Sequence, residues 1–313
     1  MTDPISPWPG EFVQLGPDQV FVRSTPAQEG AEPVLLVHGL GGSATNWTDL
    51  MDVLRLPPED GPGGPPLACE ALDLPGFGYS PVPADGDYSL NARVATVISL
   101  IEKRGYWPVH LAGNSLGGAV CVRVAARRPD LVRTLTLVSP ALPDLRPRAL
   151  PMRVGLICAP ALGPWLLTRV HRIPAEDRTS MFIRDIYADP SLVHAQRRAE
   201  GISEINRRDQ LEYADDVLLA TARGLVAEYI RRGPRSLWRD AVRVTAPTVV
   251  IHGSHDRLVR PAMAALAARA FQNARAVVLP RTGHVAMMER PAMVAREMRG
   301  MIGATRRPVQ ARG

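Results

Sequence analysis

The sequence contains little cysteine, few aromatic residues and almost no lysine. Cys69, Cys121 and Cys158 lie far apart without CxxC spacing, so we predict buried free thiols and no disulfide or zinc framework. Aromatic residues make up only 5% of the chain, too few among the basic residues for a base-stacking surface. The net charge is +6, but Lys103 is the only lysine and the arginines are scattered. We therefore predict no nucleic acid partner.

Long apolar runs and targeting signals are also absent. The longest apolar stretch, residues 152–170, is interrupted by Pro160 and Pro164, so we expect no stable membrane insertion. The first twelve residues lack the basic and apolar regions of a secretory signal, which predicts a cytoplasmic protein. The sequence shows no metal-ligand cluster or phosphate loop, so we expect a small-molecule substrate, no metal and no cofactor.

Short apolar runs alternate with helical patterns along most of the chain. Continuous runs of the kind found in strands covered on both faces occur at 33–39, 67–74, 108–114, 133–140, 247–253 and 274–280. A hairpin is predicted within residues 11–24, around Gly16-Pro17-Asp18. This alternation predicts an α/β fold with a mostly parallel central sheet flanked by helices.

The alternation stops in the middle of the chain. Between residues 141 and 240 there is no convincing strand, and the best helical pattern covers residues 211–233. We therefore predict a core domain formed by residues 1–140 and 241–303, with a helical cap inserted at 141–240. Residues 304–313 are expected to be a disordered tail.

One serine lies where the pattern of apolar residues changes from that of a strand to that of a helix, in the sequence VHLAGNSLGGAVCV of residues 109–122. The residues before Asn114 are typical of a buried strand, and those after Ser115 are typical of a helix. Gly113 and Gly117 complete the pattern G-x-S-x-G in the strand-turn-helix context that this nucleophile motif requires. So sharp a turn strains the serine backbone, and glycines avoid clashes with it. We interpret Ser115 as a nucleophile rather than an ordinary turn residue.

A serine hydroxyl needs a general base, which is usually a histidine held by a carboxylate. His284 follows the last predicted strand, beside Gly283, and is the best candidate; the alternative is a loop histidine without a role. The other histidines fall at predicted turns, at a strand start, in the inserted segment or beside an acidic residue: His38, His110, His171, His194, His252 and His255.

Two aspartates that follow predicted strands are candidates to hold that histidine. Asp256 comes directly after the penultimate strand, from where its carboxylate could reach the outer nitrogen of His284. Its alternative role is to cap the following helix. Asp144, after the preceding strand, is the second candidate acid. We predict Asp256.

Two backbone N–H groups are expected to stabilise the oxyanion of the reaction. One belongs to Leu116, the residue after the nucleophile, at the positive end of the following helix. The other is predicted at Leu40 in the sequence HGLGGSATNW, where glycines such as Gly39 let the backbone approach a substrate. Taken alone, this segment would be interpreted as a plain glycine loop.

Five segments together resemble the α/β-hydrolase fold family: HGLGGS, DLPGFGYS, GNSLGG, HGSHDRLV and GHVAMMERP. The order Ser115, Asp256, His284 is similar to the order of that family's catalytic residues. The resemblance covers roughly the first 140 and the last 70 residues, and it implies a hydrolase. In the family, the DLPGFGYS segment is a structural loop, and the cap varies among members.

The identity of the predicted nucleophile limits the classes of reaction that we expect. The epoxide hydrolases and haloalkane dehalogenases of this fold use an aspartate, whereas this chain has Ser115. We therefore expect a carboxylesterase-like serine hydrolase that forms an acyl-enzyme.

Other functions of the same fold stay open. Asn114 makes the segment GNSLGG similar to that of hydrolases that cleave carbon–carbon bonds in ring-fission products. Many of those hydrolases carry Trp where this chain has Val285. Thioesterases, perhydrolases and ligand-binding receptors of the fold are further alternatives. Nucleic-acid binding has no motif to support it.

The predicted cap is expected to set substrate choice. We predict that its apolar residues 154–167, with Trp165, line an entrance for a small to medium hydrophobic acyl or alkyl group. The alternative is that they form the core of the cap. Gly39 and Asn114, beside the nucleophile, are also predicted to contact the substrate.

Overall fold

The structure is a computed structural model that describes residues 5–56, 64–106, 108–144, 146, 158–159 and 162–306. Within these residues one sheet of eight strands crosses the molecule, in the order β1-β2-β4-β3-β5-β6-β7-β8. The strands are β1 Gly10–Leu15, β2 Asp18–Ser24, β3 Glu32–Val37, β4 Leu67–Leu72, β5 Val109–Asn114, β6 Val132–Val138, β7 Thr248–Gly253 and β8 Ala274–Leu279. The hairpin β1–β2 pairs antiparallel with β4, and the other pairs are parallel. The mostly parallel sheet is therefore confirmed.

The position of each strand explains its sequence pattern. All six residues of β5 and of β7 are buried, because helices cover both faces of the central strands. The edge strands β1 and β8 expose much of their length. One polar residue inside β5, His110, is paired on both sides, with Thr134 Oγ1 and Glu32 Oε2 each at 2.8 Å. A buried imidazole is tolerated here because both ring nitrogens have partners.

The helices flank this sheet. They are α1 Thr48–Arg55, α2 Leu90–Arg104, α3 Leu116–Arg127, α4 Leu162–Val170, α5 Ala175–Ile186, α6 Ala195–Asp209, α7 Ala214–Ile230, α8 Leu237–Arg243, α9 Ala262–Ala270, α10 Ala286–Glu289 and α11 Pro291–Arg306. One apolar cluster joins α2, α3, α8 and α9 to the sheet, and a second joins α1, α10 and α11 to its opposite face. The central sheet is thus buried between two helical layers.

Between β6 and β7 the described residues contain helices and no strand. We call α4 to α7, residues 162–230, the inserted helices. The helix α8 packs differently, because Leu237 and Ala241 are fully buried in the same cluster as α3. The boundary predicted at residue 240 therefore falls inside a helix that belongs to the core layer.

Three further predictions can be compared with the structure. The three cysteines are free and buried, as expected. The last helix continues to Arg306, past the predicted core end at 303, and residues 307–313 lie outside the described residues. Of the predicted entrance at 154–167, the structure describes only residues 158–159 and 162–167.

None of the helices described combines the length and the apolar character that crossing a membrane requires.

Candidate active site

The turn between β5 and α3 holds Ser115 in a conformation that L-residues rarely adopt, with φ 51° and ψ −115°. The neighbouring glycines are required sterically. A Cβ on Gly113 would lie 2.4 Å from the carbonyl oxygen of Gly117, and a Cβ on Gly117 would lie 2.2 Å from that of Val37. The sharp turn presents Ser115, half-buried, at the carboxyl edge of the sheet.

The loop after β3 lies directly against this turn. A Cβ on Gly39 would be 3.2 Å from the Cβ of Ser115. The ring of His38 holds the loop in place: Nδ1–H donates to the Gly39 carbonyl at 2.7 Å, and Nε2 accepts from the N–H of Leu74 at 2.9 Å. Burial is the main cause that lowers the pKa of His38 to about 4, so the ring stays neutral. His38 has a structural role, as its turn position predicted.

The backbone N–H groups predicted for the oxyanion are those of Leu40 and Leu116. Leu116 is the first residue of α3, so its N–H has no partner within the helix. Among the described residues, neither N–H donates to a protein acceptor. Two donors therefore stay available on either side of the turn that carries Ser115.

The imidazole of His284 and the carboxylate of Asp256 form a hydrogen bond, with Nδ1 and Oδ2 3.0 Å apart. The second oxygen of Asp256 accepts from the N–H groups of Leu258 and Val259, at 2.8 and 2.9 Å. Burial acts to raise the pKa of this carboxyl, but His284 and the hydrogen bonds outweigh it and lower the pKa to about 2. The carboxylate is thus ionised at neutral pH and fixes the orientation of the imidazole.

The histidine loop is tied to the serine turn by an amide side chain. Asn114 Nδ2 donates to the carbonyl oxygens of Val138, at 3.0 Å, and of His284, at 3.2 Å. The Asn114 side chain is buried, so its position favours holding the loop over the predicted contact with substrate. Within the described residues, no hydrogen bond joins the Ser115 hydroxyl to His284 Nε2.

Two contacts of the same loop were missed by sequence reasoning. The N–H of His284 donates to the carbonyl of Ile186, at the end of α5, at 2.7 Å. Glu289 accepts from the N–H groups of Gly283, at 2.6 Å, and Ala188, at 3.0 Å. The one sequence signal for Glu289 was its position in the segment GHVAMMERP. Its partners are backbone groups, which produce no recognisable pattern in a sequence.

The remaining predicted residues lie elsewhere. Asp144, the second candidate acid, is paired with Arg260 at 2.7 and 2.5 Å. Trp165 is 51% exposed on α4, with the guanidinium of Arg169 4.7 Å from its ring centroid. The structure thus brings Ser115, Asp256 and His284 to one edge of the sheet and leaves Asp144 in a different pair.

A family profile described as alpha/beta hydrolase fold matches residues 32–291. The chain belongs to this family. It is a hydrolase, and its relatives in the α/β-hydrolase fold family include lipases and esterases. Lipase 3 of Moraxella sp. (strain TA144) is 25% identical over 82% of this chain and 73% of the lipase.

Other proteins similar to this chain have names that describe different activities. The 2-hydroxy-6-oxononadienedioate/2-hydroxy-6-oxononatrienedioate hydrolase of Paraburkholderia xenovorans (strain LB400) is 29% identical over 89% of this chain and 90% of its own. The dihydrolipoyllysine-residue acetyltransferase component of the acetoin cleaving system of Pseudomonas putida is also 29% identical, over 86% of this chain. The chain spans 63% of the length of that protein.

The fold recurs among solved structures at low sequence identity. A crystal structure described as a membrane phospholipase A superposes with a TM-score of 0.76 at 21% identity, over 96% of this chain and 87% of the phospholipase. At this identity the likeness concerns the fold alone.

Proposed function

We propose that the protein is a serine hydrolase that cleaves small to medium, hydrophobic esters through an acyl-enzyme. Ser115 is the nucleophile, His284 the general base and acid, and Asp256 the group that orients His284. The observation that carries the proposal is the hydrogen bond between His284 Nδ1 and the buried Asp256, at the sheet edge where the strained Ser115 lies.

Four proton transfers through His284, two in each step, complete the reaction. In the first step the Ser115 hydroxyl attacks the ester carbonyl, and its proton passes to His284 Nε2 and on to the departing alcohol. In the second step water loses a proton to His284 and attacks the acyl-enzyme, and the proton returns to Ser115 as the acid leaves. The N–H groups of Leu40 and Leu116 stabilise the oxyanion in both steps, because both are free to donate.

We assign the inserted helices to a cap over this edge of the sheet. The proposal is supported by three contacts: Arg208 with Gly41 after β3, Val217 with Gly76 after β4, and Ile186 with the loop of His284. Each contact joins an inserted helix to a loop at the carboxyl ends of strands, where ligands bind in folds of this type.

The first experiment measures hydrolysis of p-nitrophenyl esters of graded acyl length by wild type, Ser115→Ala and Asp256→Asn. We expect Ser115→Ala to lose on the order of 10⁶-fold in kcat and Asp256→Asn on the order of 10⁴-fold. Ser236→Ala is the matched control, because this serine precedes α8 and its side chain makes no capping hydrogen bond. Turnover that persists in Ser115→Ala would contradict the mechanism, and tight binding without turnover would favour a receptor role.

A second candidate reaction is hydrolysis of a carbon–carbon bond in a ring-fission product. It is favoured by Asn114 beside the nucleophile and by the Paraburkholderia xenovorans relative, which matches over 90% of its length. The test is to offer wild type a 2-hydroxy-6-oxo-dienoate and a p-nitrophenyl ester in parallel. A kcat/KM for the dienoate that exceeds that for every ester would replace the ester proposal with this one.

A further inference from the structure

The inserted helices place one arginine against the loop that carries Leu40. Arg208, near the end of α6, is half-buried, and its Nη1 donates to the carbonyl of Gly41 at 3.4 Å. A Cβ on Gly41 would lie 3.7 Å from the same nitrogen. Gly41 is two residues from Gly39, which lies against Ser115, so the two glycines are within about 7 Å of each other. The guanidinium therefore contacts the loop that carries Leu40, one of the two predicted oxyanion donors.

Among the described residues this guanidinium has no acidic partner. Within the described residues, no carboxylate lies within 4 Å of Arg208. The acidic groups whose charges act on it most, Glu204, Asp215 and Asp209, have other side-chain partners. Glu204 is paired with Arg207 at 2.7 Å, and Asp215 with His171 at 2.8 Å. The third, Asp209, is shared by His171 and Arg178.

A comparison with a second buried arginine makes the difference clear. Arg93 also lacks an acidic partner among the described residues, but it donates to Thr221 Oγ1 and the Pro75 carbonyl and lies over the rings of Phe77 and Tyr88. In the part of the chain that the structure describes, Arg208 has a single, long hydrogen bond, to Gly41. Burial lowers the pKa of Arg208, as expected for a cation that has lost water without gaining an anion.

We propose that Arg208 binds a carboxylate of the substrate, so that the hydrolase prefers esters that carry one anionic end. A guanidinium recognises a carboxylate through two parallel N–H donors, and a charge that is half-desolvated and unpaired in the free protein gains most from such a partner. The proposal rests on the proposed ester hydrolysis and specifies its substrate class.

Two matched probe pairs test this preference. The first pair is the p-nitrophenyl half-ester of adipic acid and its adipamic acid counterpart, in which a neutral amide replaces the carboxylate. The second pair moves the charge to the leaving group: 3-carboxy-4-nitrophenyl hexanoate and 4-nitrophenyl hexanoate. For each pair the readout is the ratio of kcat/KM for the charged ester to that for the neutral ester.

We expect wild type to prefer the charged ester in one pair, which identifies the side that bears the carboxylate. Arg208→Gln should lower that ratio by about 10- to 100-fold, as expected for loss of a charge-assisted hydrogen bond, and Arg208→Lys should keep part of it. Arg207→Gln is the control, because Arg207 is paired with Glu204 and lies over the Tyr79 ring. A wild type without preference in either pair, or a ratio unchanged in Arg208→Gln, would overturn the proposal.

A binding measurement separates this proposal from the proposed reaction. Calorimetric titration of Ser115→Ala with phenyl hydrogen adipate and with phenyl adipamate, which needs no turnover, is repeated in the Ser115→Ala, Arg208→Gln double variant. Tighter binding of the carboxylate that depends on Arg208 would support the anionic substrate even if wild type cleaves no ester. Equal binding of the two compounds would overturn it.

Discussion

The helix α3, which follows the turn of Ser115, and the inserted helix α6 have similar lengths but are held in place by different interactions. Ten of the twelve residues of α3 are buried, namely those from Leu116 to Ala125, whereas α6 has no buried residue. The helix α3 is fixed by close apolar packing, in which each side chain has a defined space. Changes in α3 are therefore expected to affect folding.

The helix α6 is attached mainly by ion pairs at its surface. Arg197 bridges Asp49 of α1 at 2.5 Å and Glu200 at 2.7 Å, and Arg207 pairs with Glu204. Partly exposed pairs of this kind each contribute little to stability. Close packing in the core therefore fixes the turn that carries Ser115, while changes in the sequence of α6 are expected to cost little stability.

The largest effect on stability is expected where the two regions are joined by buried charge. Arg123 of α3 pairs with Glu228 of α7 and with Asp240 of α8, both at 2.7 Å, and all three side chains are buried. Arg123→Met should lower the free energy of unfolding by about 3–5 kcal/mol, because it removes the nearest cation from two buried carboxylates and leaves them with Arg231, 3.2 Å from Glu228, and Arg243, 3.9 Å from Asp240. Urea denaturation measures this. Arg55→Met, which breaks a half-exposed pair with Asp52, is the control, and an equal loss in both variants would contradict the prediction.

Adding one methyl group next to the turn between β5 and α3 tests the close packing of α3. Gly117→Ala should lower the free energy of unfolding by about 3 kcal/mol, because the new Cβ would lie 2.2 Å from the Val37 carbonyl. Gly300→Ala, in α11, has no atom within 4 Å of its new Cβ and should stabilise by about 0.5–1 kcal/mol. Thermal denaturation of both variants is the measurement. Equal melting temperatures would show that the elbow adjusts to the methyl group.

Acid is expected to destabilise the core through its buried histidines. Neither ring nitrogen of His252 has a partner among the described residues, and burial is the main cause that lowers its pKa from 6.5 to about 4. As the pH falls from 6.5 to 4, the unfolded chain binds this proton first, so stability decreases across that window by up to about 3 kcal/mol. In His252→Leu this part of the loss should disappear. Urea denaturation at pH 7 and pH 4 measures it, and an unchanged acid loss would contradict the prediction.

The smallest effect on stability is expected on the exposed face of the inserted helices. Trp165→Ala should change the free energy of unfolding by less than about 0.5 kcal/mol, because the side chain is 51% exposed. It should nevertheless shift the preference toward shorter acyl groups if Trp165 lines the entrance. Leu266→Ala, an equally exposed apolar residue of the core helix α9, is the control for kcat/KM across acyl lengths. An unchanged preference in Trp165→Ala would count against the entrance.

Much of the core and of the candidate site could be predicted from the sequence. Each apolar run became a strand of the sheet. The central strands need continuous apolar residues because both of their faces are buried, whereas the last run became the edge strand β8, which exposes much of its length. The elbow at Ser115 was predictable because its glycines are required by contacts that any such turn makes. The end of the inserted segment was harder to predict: the boundary at residue 240 divides the core helix α8, because periodicity identifies a helix but not the layer against which it packs.

The sequence by itself determined the local conformations, since backbone sterics and apolar periodicity act over a few residues. Only the tertiary structure decided between Asp256 and Asp144, which both follow strands. It placed Asp256 against His284 and Asp144 against Arg260. It alone also left Arg208 without an acidic partner among the described residues, although the charges of Glu204, Asp209 and Asp215 act on it. Pairing between distant residues depends on which side chains the fold brings within a few ångströms of one another, and no short-range pattern records that distance.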